Sequence, residues 1–296
     1  MASIDTIADR STGSAVAGKA YFETSTNKFI VYNGSSWVEI DSDGTGSAYM
    51  NEYAVLFDGT NDYMTLSGLS SCYAFSCWIK PDSTITSSGN AGNLLGANST
   101  SWFGGLGSVT GDFTNELITV RPYSQGGFAY TSSSDSIPSG SWTHIAIRWE
   151  ASNSQTNPGN AGYDIFKNGI KVGNAAGSAA ISSPLTFSTG IIGARQTAYA
   201  LFNGKIDEVA FWASSVSESD IATMYNSGVP GDLTSLSPYG WWRMGDGDDG
   251  SGNPDGTLVG GNPQVYNMAT DSSGNRITGN DGALINGPTF SSDVPS

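Results

Sequence analysis

The sequence is short of positive charge, cysteine, histidine and long apolar runs, and each shortage removes a class of function. There are 12 Lys plus Arg against 27 Asp plus Glu, a formal net charge of −15. Nucleic-acid affinity rests on dense Lys/Arg neutralisation of phosphates, so nucleic acid and anionic membrane surfaces are poor partners and cations are reasonable ones. No stretch approaches the ~20 apolar residues that span a bilayer, so no membrane insertion is expected. The opening MASIDTIADRSTGS lacks the basic start and apolar run of a secretory signal. The two cysteines, Cys72 and Cys77, lie five apart in SSCYAFSCWIKP. On one strand an odd offset puts them on opposite faces, where they cannot bridge. Free, buried thiols suit a reducing cytoplasm. His144 is the one histidine, and no Ser/His/Asp set, Cys/His pair or phosphate-binding loop accompanies it.

What the chain does have is 39 glycines, 11% aromatic residues and many short alternating runs parted by Gly, Asn and Ser. Long helical periodicity is almost absent, so the reading is all-β. Residues 1–47 read as a β-ribbon leader: KFIVY and WVEI alternate across Asn33-Gly34, a dipeptide suited to a tight hairpin. Residues 48–235 carry a regular strand series that includes EYAVLFDGTNDYMTL, YAFSCWIKP, SWTHIAIRWEA, ALFNGKIDEVAFWA and a hairpin at Asn168-Gly169. One helix follows, with Ser217 and Asp220 as a capping pair, Ile221, Met224 and Tyr225 on one face, and Gly228 and Pro230 as the stop. Residues 236–296 are Gly-, Asp- and Asn-rich and read as an extended C-terminal arm. That arm holds two similar turn-and-strand pieces, Asp255–Pro263 and Asp281–Pro288.

VLFDGTNDYMTL, YAFSCWIKP, SWTHIAIRWEA and FNGKIDEVAFWASSVSESDIATMYNSG occur in that order. Over about residues 53–228 the chain resembles the laminin-G-like/pentraxin-like modules of the concanavalin A-like lectin and glucanase superfamily. The resemblance implies a jelly-roll sandwich of two antiparallel sheets, with the capped helix after the GKIDEV strand. The leader and the C-terminal GWWRMGDG…DSSGNRITGNDGALINGP resemble phrases of tailed-phage virion proteins. They imply a structural virion protein, either capsid decoration, head fibre or tail appendage, assembled in the host cytoplasm. Its partners would be other virion proteins and copies of itself, a symmetric homo-oligomer with a trimer among the options. The alternative is a lectin that recognises glycans on a host surface.

The candidate residues follow from these readings. Glucanases of this fold carry Glu-x-Asp-x-x-Glu on one strand, and no such run occurs here. Asp207 and Glu208 are adjacent, so plain alternation points them to opposite faces; the chain is therefore not expected to be an enzyme. The resemblance also implies a structural Ca²⁺ between an early turn and the last long strand, at Asp58, Asp62 and Asp207. The competing reading is ordinary turn and backbone hydrogen bonding. Trp102 and Tyr123 lie in loop-like surroundings and have the residue type for stacking on a sugar. Val31, Tyr32, Trp37 and Ile40 of the leader are too few to bury one another, so they are expected to dock on another chain.

Overall fold

The structure is a computed structural model. It describes residues 5–7, 19–23, 28–32, 37–40, 51–67, 71–82, 92–96, 102–106, 118–121, 129–131, 137–153, 160–175, 184–186, 189–195, 200–246, 264–273, 277 and 280–295. The chain divides into two compact units, Met1–Met50 and Asn51–Ser296.

The first unit is a four-stranded sheet of β1 (Asp5–Ile7), β2 (Ala20–Glu23), β3 (Lys28–Tyr32) and β4 (Trp37–Ile40), in that order. β1 lies parallel to β2, and the other pairs are antiparallel. The sequence pattern predicts the β3–β4 ribbon, and the structure pairs Tyr32 with Trp37 and Phe29 with Ile40. Asn33-Gly34 itself lies outside the described residues. Ile30 and Tyr21 are buried, while Val31 and Tyr32 are half-buried; the side chains of Trp37 and Ile40 are not among those described.

The second unit is the sandwich. Its first strands are β5 (Ala54–Asp58), β6 (Tyr63–Ser67), β7 (Ser71–Cys72), β8 (Ala74–Pro81), β9 (Asn93–Gly96), β10 (Trp102–Leu106), β11 (Ile118–Arg121) and β12 (Ala129–Thr131). Then come β13 (Thr143–Asn153), β14 (Asn160–Lys167), β15 (Ile170–Ala175), β16 (Leu185–Thr186), β17 (Thr189–Ile192) and β18 (Asn203–Trp212). Helix α1 (Glu218–Tyr225) precedes β19 (Gly240–Trp242), β20 (Gln264–Val265), β21 (Gly282–Ile285) and β22 (Thr289–Ser291). One layer is built on β21-β6-β17-β9-β10-β11, the other on β14-β13-β8-β18-β5-β22; β12 and β15 join them along one edge. The two layers bury one core between them, with Met64, Leu66, Leu95 and Ile192 facing Phe57, Phe75, Ile147, Ile206 and Phe211. This is the two-sheet antiparallel sandwich with one short helix that the sequence implies.

Three local details hold as read. Asn168 and Gly169 both take positive φ, the backbone a two-residue hairpin of this hand requires. Ser217 accepts from the Asp220 amide while the Asp220 carboxylate accepts from the Ser217 amide, a complete capping box. Ile221 and Met224 are the buried face of α1.

The Gly59–Asn61 turn joins β5 to β6 and crosses from one layer to the other, so each strand pairs with other neighbours. Other details differ. Cys72 and Cys77 are free, yet both reach the same core. The alternation argument fails because the backbone bends at Tyr73 and splits the run into β7 and β8. Burial pushes both thiols up, so neither is a thiolate.

The segment from residue 236, expected as an extended arm, is part of the sandwich unit. β19 pairs with β18, β21 with β6, and β22 with β5. Trp242 is fully buried and meets Phe211 edge-on at 5.6 Å. Such a Trp belongs in a core, since burying its side chain is worth a few kcal/mol. Of the two similar turn-and-strand pieces, the second supplies β21 and the first lies outside the described residues.

Candidate functional site at the seam of β18

β18 changes neighbours along its length. One edge pairs with β8 throughout, while the other pairs first with β5 (Asn203 to Ile206) and then with β19 (Val209 to Phe211). The switch falls at Asp207 and Glu208, where the register with β8 slips by a bulge. Glu208 sits there at φ +50, a region that an unbranched non-glycine residue enters only when its surroundings hold it. The bulge cancels the alternation expected of neighbouring residues. Asp207 and Glu208 therefore do not diverge: carboxylate oxygens of Asp207, Glu208 and Asp246 lie within 4.8 Å of one another, all buried. Opposite-face placement was the wrong expectation, and the change of strand partner is its physical reason.

The chain ends flanking the seam close around these acids. Glu208 accepts from the Trp241 indole N–H at 2.6 Å and from Arg243 Nε at 3.1 Å. Asp246 accepts the backbone N–H groups of Glu52 and Tyr53 through one oxygen, at 2.9 and 3.1 Å. Asp207 accepts from the Glu208 amide at 2.8 Å and from Asn51 Nδ2 at 3.0 Å. The strand that enters β5 and the turn that leaves β19 are thus bolted to β18 by three carboxylates.

The electrostatics are unbalanced. Burial, then the neighbouring Glu208 charge, raises the Asp207 carboxyl well above the usual carboxylate range, against the opposing Asn51 hydrogen bond. Burial likewise pushes Asp246 up to about 6, opposed by the Tyr53 amide and Arg243. Ionised together, three carboxylates against one guanidinium would carry two net negative charges in a buried seam, the amount that one divalent cation neutralises. Asn51 adds a buried amide oxygen with no partner among the described residues, beside Asp207. Ca²⁺ takes hard oxygens from carboxylates, amides and carbonyls, and this donor set fits it. The triad can coordinate a divalent ion.

The residues read from sequence for that ion are not brought together. Asp58 pairs across to Asn203, four positions before Asp207 on β18, so they are separated by roughly 13 Å of strand. Asp58 is exposed and accepts the amide of Thr60 at 2.7 Å, while Asp62 is buried and accepts the amide of Asp58 at 3.1 Å. Those two act as turn residues; only Asp207 belongs to the cluster. Glu208 and Asp246 were missed. The usable signal was two adjacent acids inside an otherwise apolar strand, with Arg243 after a Trp pair.

His144 is buried and shares a 2.8 Å hydrogen bond with Ser76 Oγ, its Nδ1 having no partner among the described residues. Burial pulls its pKa down to about 3. It lies against Trp78 and against Tyr225 of α1, a packing position. Trp102 opens β10, with its side chain not among those described, and Tyr123 lies outside the described residues.

The chain belongs to the concanavalin A-like lectin/glucanases superfamily, whose laminin-G-like model matches residues 57–222, more than half of it. Among solved structures, it is similar to a protein from Bacteroides ovatus classed as a candidate carbohydrate-binding protein. That likeness has 18% identity, covers 95% of this chain and 71% of the other, and has a TM-score of 0.56. Domain 4 of a GH43 extracellular arabinanase from Geobacillus stearothermophilus, solved with arabinotriose, is similar over 58% of this chain and 76% of its own, at 17% identity and TM-score 0.41. A heptameric SAP-like pentraxin from Limulus polyphemus is similar over 60% and 84%, at 15% identity and TM-score 0.40. At such identities the likeness is one of fold. No curated protein matches the chain. No described helix is long and apolar enough to cross a membrane.

Proposed function

We propose that the chain is a lectin-type carbohydrate-binding module with no hydrolytic chemistry of its own, stabilised by a divalent cation, Ca²⁺ by preference. The observation that carries this reading is the fate of its clustered acids. On a sandwich of a superfamily of lectins and glucanases, Asp207, Glu208 and Asp246 are buried and engaged by backbone amides, an indole and a guanidinium. A glycosidase needs its two carboxyl groups open to the sugar. These acids hold strands together instead. Of the two sugar-stacking candidates, Trp102 opens β10, which lies between β9 and β11; substituting it and Tyr123 is the direct way to assign them. The test is a glycan array run beside a reducing-end release assay on the same glycans. Binding without release supports the reading, and release of reducing ends refutes it.

A second reading keeps the virion placement. It is supported by the N-terminal unit, a small sheet that is compact in its own right, which suits a docking segment carrying Val31, Tyr32, Trp37 and Ile40. In that reading the module is displayed on a tailed-phage particle assembled in the host cytoplasm, as a homo-oligomer contacting other virion proteins. Co-purification with intact particles tests it: a chain lost from particles on deleting residues 1–47 supports it, and one retained refutes docking through the leader.

A further inference from the structure

Ile79 and Ile206 pair across β8 and β18 and point into the core, so their neighbours Lys80 and Lys205 point out, directly opposite each other. Like charges placed so are destabilising, and a chain with only 12 Lys plus Arg has few to spend this way. The anion that reconciles them is Asp293. Its Oδ1 accepts from Lys80 Nζ at 3.0 Å and from the Trp142 indole N–H at 3.2 Å. Its Oδ2 accepts from Lys80 Nζ at 2.8 Å, with Lys205 Nζ at 3.4 Å. Among the described residues Lys205 has one other counter-charge, Asp82, at 3.7 Å. Without Asp293 two lysines would face one acid. The Lys80 hydrogen bond, followed by the Trp142 bond and the two lysine charges, holds the Asp293 carboxyl below the usual range against some burial.

Two features mark this as a site rather than a closed bolt. Asp293 is 42% exposed although two hydrogen-bond donors and a second lysine charge hold it, and the lysines retain 22% and 15%. The segment that carries it is otherwise lightly tied. After β22, the Asp293 amide bonds Ser291 Oγ at 3.2 Å, and the Pro295 carbonyl lies 3.5 Å from Asn51 Nδ2. The two lysines and the indole thus form an open cradle already shaped around a carboxylate.

We propose that Lys80, Lys205 and Trp142 form a carboxylate-binding site for acidic sugars, uronates or sialates, and that Asp293 occupies it from within the chain. This rests on the glycan-binding reading and names its ligand class. A uronate or sialate carries its carboxylate directly on a pyranose ring, so the ring lands beside the half-buried indole while the carboxylate meets the lysines. A tethered competitor acts at about millimolar effective concentration. The full chain therefore binds free uronate weakly, and removing the competitor exposes the site.

The experiment compares the full chain with Asp293→Ala, using trigalacturonate and sialyllactose as acidic probes, lactose and a galactan oligomer as neutral ones, and a poly-glutamate peptide. The expected result is at least a ~10-fold gain in affinity for one of the acidic sugars, with neutral sugars unchanged. Which of the two gains identifies the source of the carboxylate. Lys80→Met with Lys205→Met in the same background erases the gain. The proposal is overturned if a folded Asp293→Ala gains nothing, if the gain survives loss of both lysines, or if poly-glutamate gains as much as the sugars. Neutral glycans that still bind while acidic ones gain nothing sink the cradle alone. No glycan binding by any variant sinks the lectin reading with it. Where Asp293→Ala does not fold, Asp293→Asn removes the charge but keeps an acceptor for the indole, and the same comparison applies.

Discussion

Asp246→Asn should change how stability depends on pH, and by an amount the seam sets. Asp246 is 6% exposed, and burial raises its carboxyl from the ordinary 3.8 to about 6. The folded chain then binds more protons than the unfolded chain between those values. Stability from this group is complete below about 4 and is lost as pH rises through about 6. Two units at ~1.4 kcal/mol each make the loss ~3 kcal/mol. For a sandwich of this size that is on the order of 5–10 °C of melting temperature. Ca²⁺ binds the ionised carboxylates and opposes the loss, giving about 2.7 kcal/mol at a hundredfold excess over its dissociation constant. Calcium stabilisation should therefore be near zero at pH 4 and largest above pH 6. The Asn side chain keeps an acceptor for the Glu52 and Tyr53 amides but no longer titrates. The assay is thermal melting from pH 4 to 8, in chelator and in millimolar Ca²⁺, for both proteins. The wild-type-minus-variant difference cancels the carboxyls outside the seam and reports Asp246 together with Asp207, whose carboxyl its charge also raises. A variant with the same slope and the same calcium response would refute both the seam electrostatics and the cation assignment.

The seam makes further claims checkable by denaturant unfolding. Glu208→Ala removes the buried carboxylate to which Arg243 Nε and the Trp241 indole donate, and should cost ~3–5 kcal/mol. Ser217→Ala opens the capping box of α1 and should cost ~1 kcal/mol, with no effect on the calcium response. A chain ending at residue 235 loses β19, β21 and β22 and uncovers core around Phe211, so it should melt without cooperativity, whereas residues 51–296 should melt as one unit. The imidazole of His144 should show no titration by NMR between pH 5 and 8, since its pKa is held near 3; a midpoint near 6.5 would place it in water.

Much of the fold was legible because its determinants are local. Asn168-Gly169 can take the two positive φ angles wherever it stands in the chain, and Ser217 needs only Asp220, three residues on, to cap a helix. Strand alternation is equally local, which is why YAFSCWIKP and SWTHIAIRWEA read correctly and then paired with each other. The resemblance supplied the two-sheet arrangement, which no such rule contains.

The site was less legible because it is made by strands far apart in sequence. Nothing within GKIDEVAFW says that Glu208 leaves the extended region; that follows from β5 ending and β19 beginning on the same edge of β18, one from residues 54–58 and the other from 240–242. Reading 236–296 as an arm removed β19 from consideration, and with it Trp241, Arg243 and Asp246. The calcium expectation then settled on Asp58 and Asp62, the acids beside an early turn. One inconsistency nevertheless stands in the sequence itself. Glu208 lies between Ile206 and Val209-Ala210-Phe211 on a strand apolar enough to be buried on both faces, and a buried carboxylate must find a positive or hydrogen-donating partner. The chain has few cations to offer, and Arg243 directly follows Trp241-Trp242, a pair apolar enough to carry a guanidinium inward. Matching the acid to the arginine predicts the β18–β19 pairing and places the C-terminal segment in the core. In a chain this poor in positive charge, asking where each lysine and arginine goes constrains the fold more tightly than asking where each acid goes. The same question, put to Lys80 and Lys205, leads to Asp293.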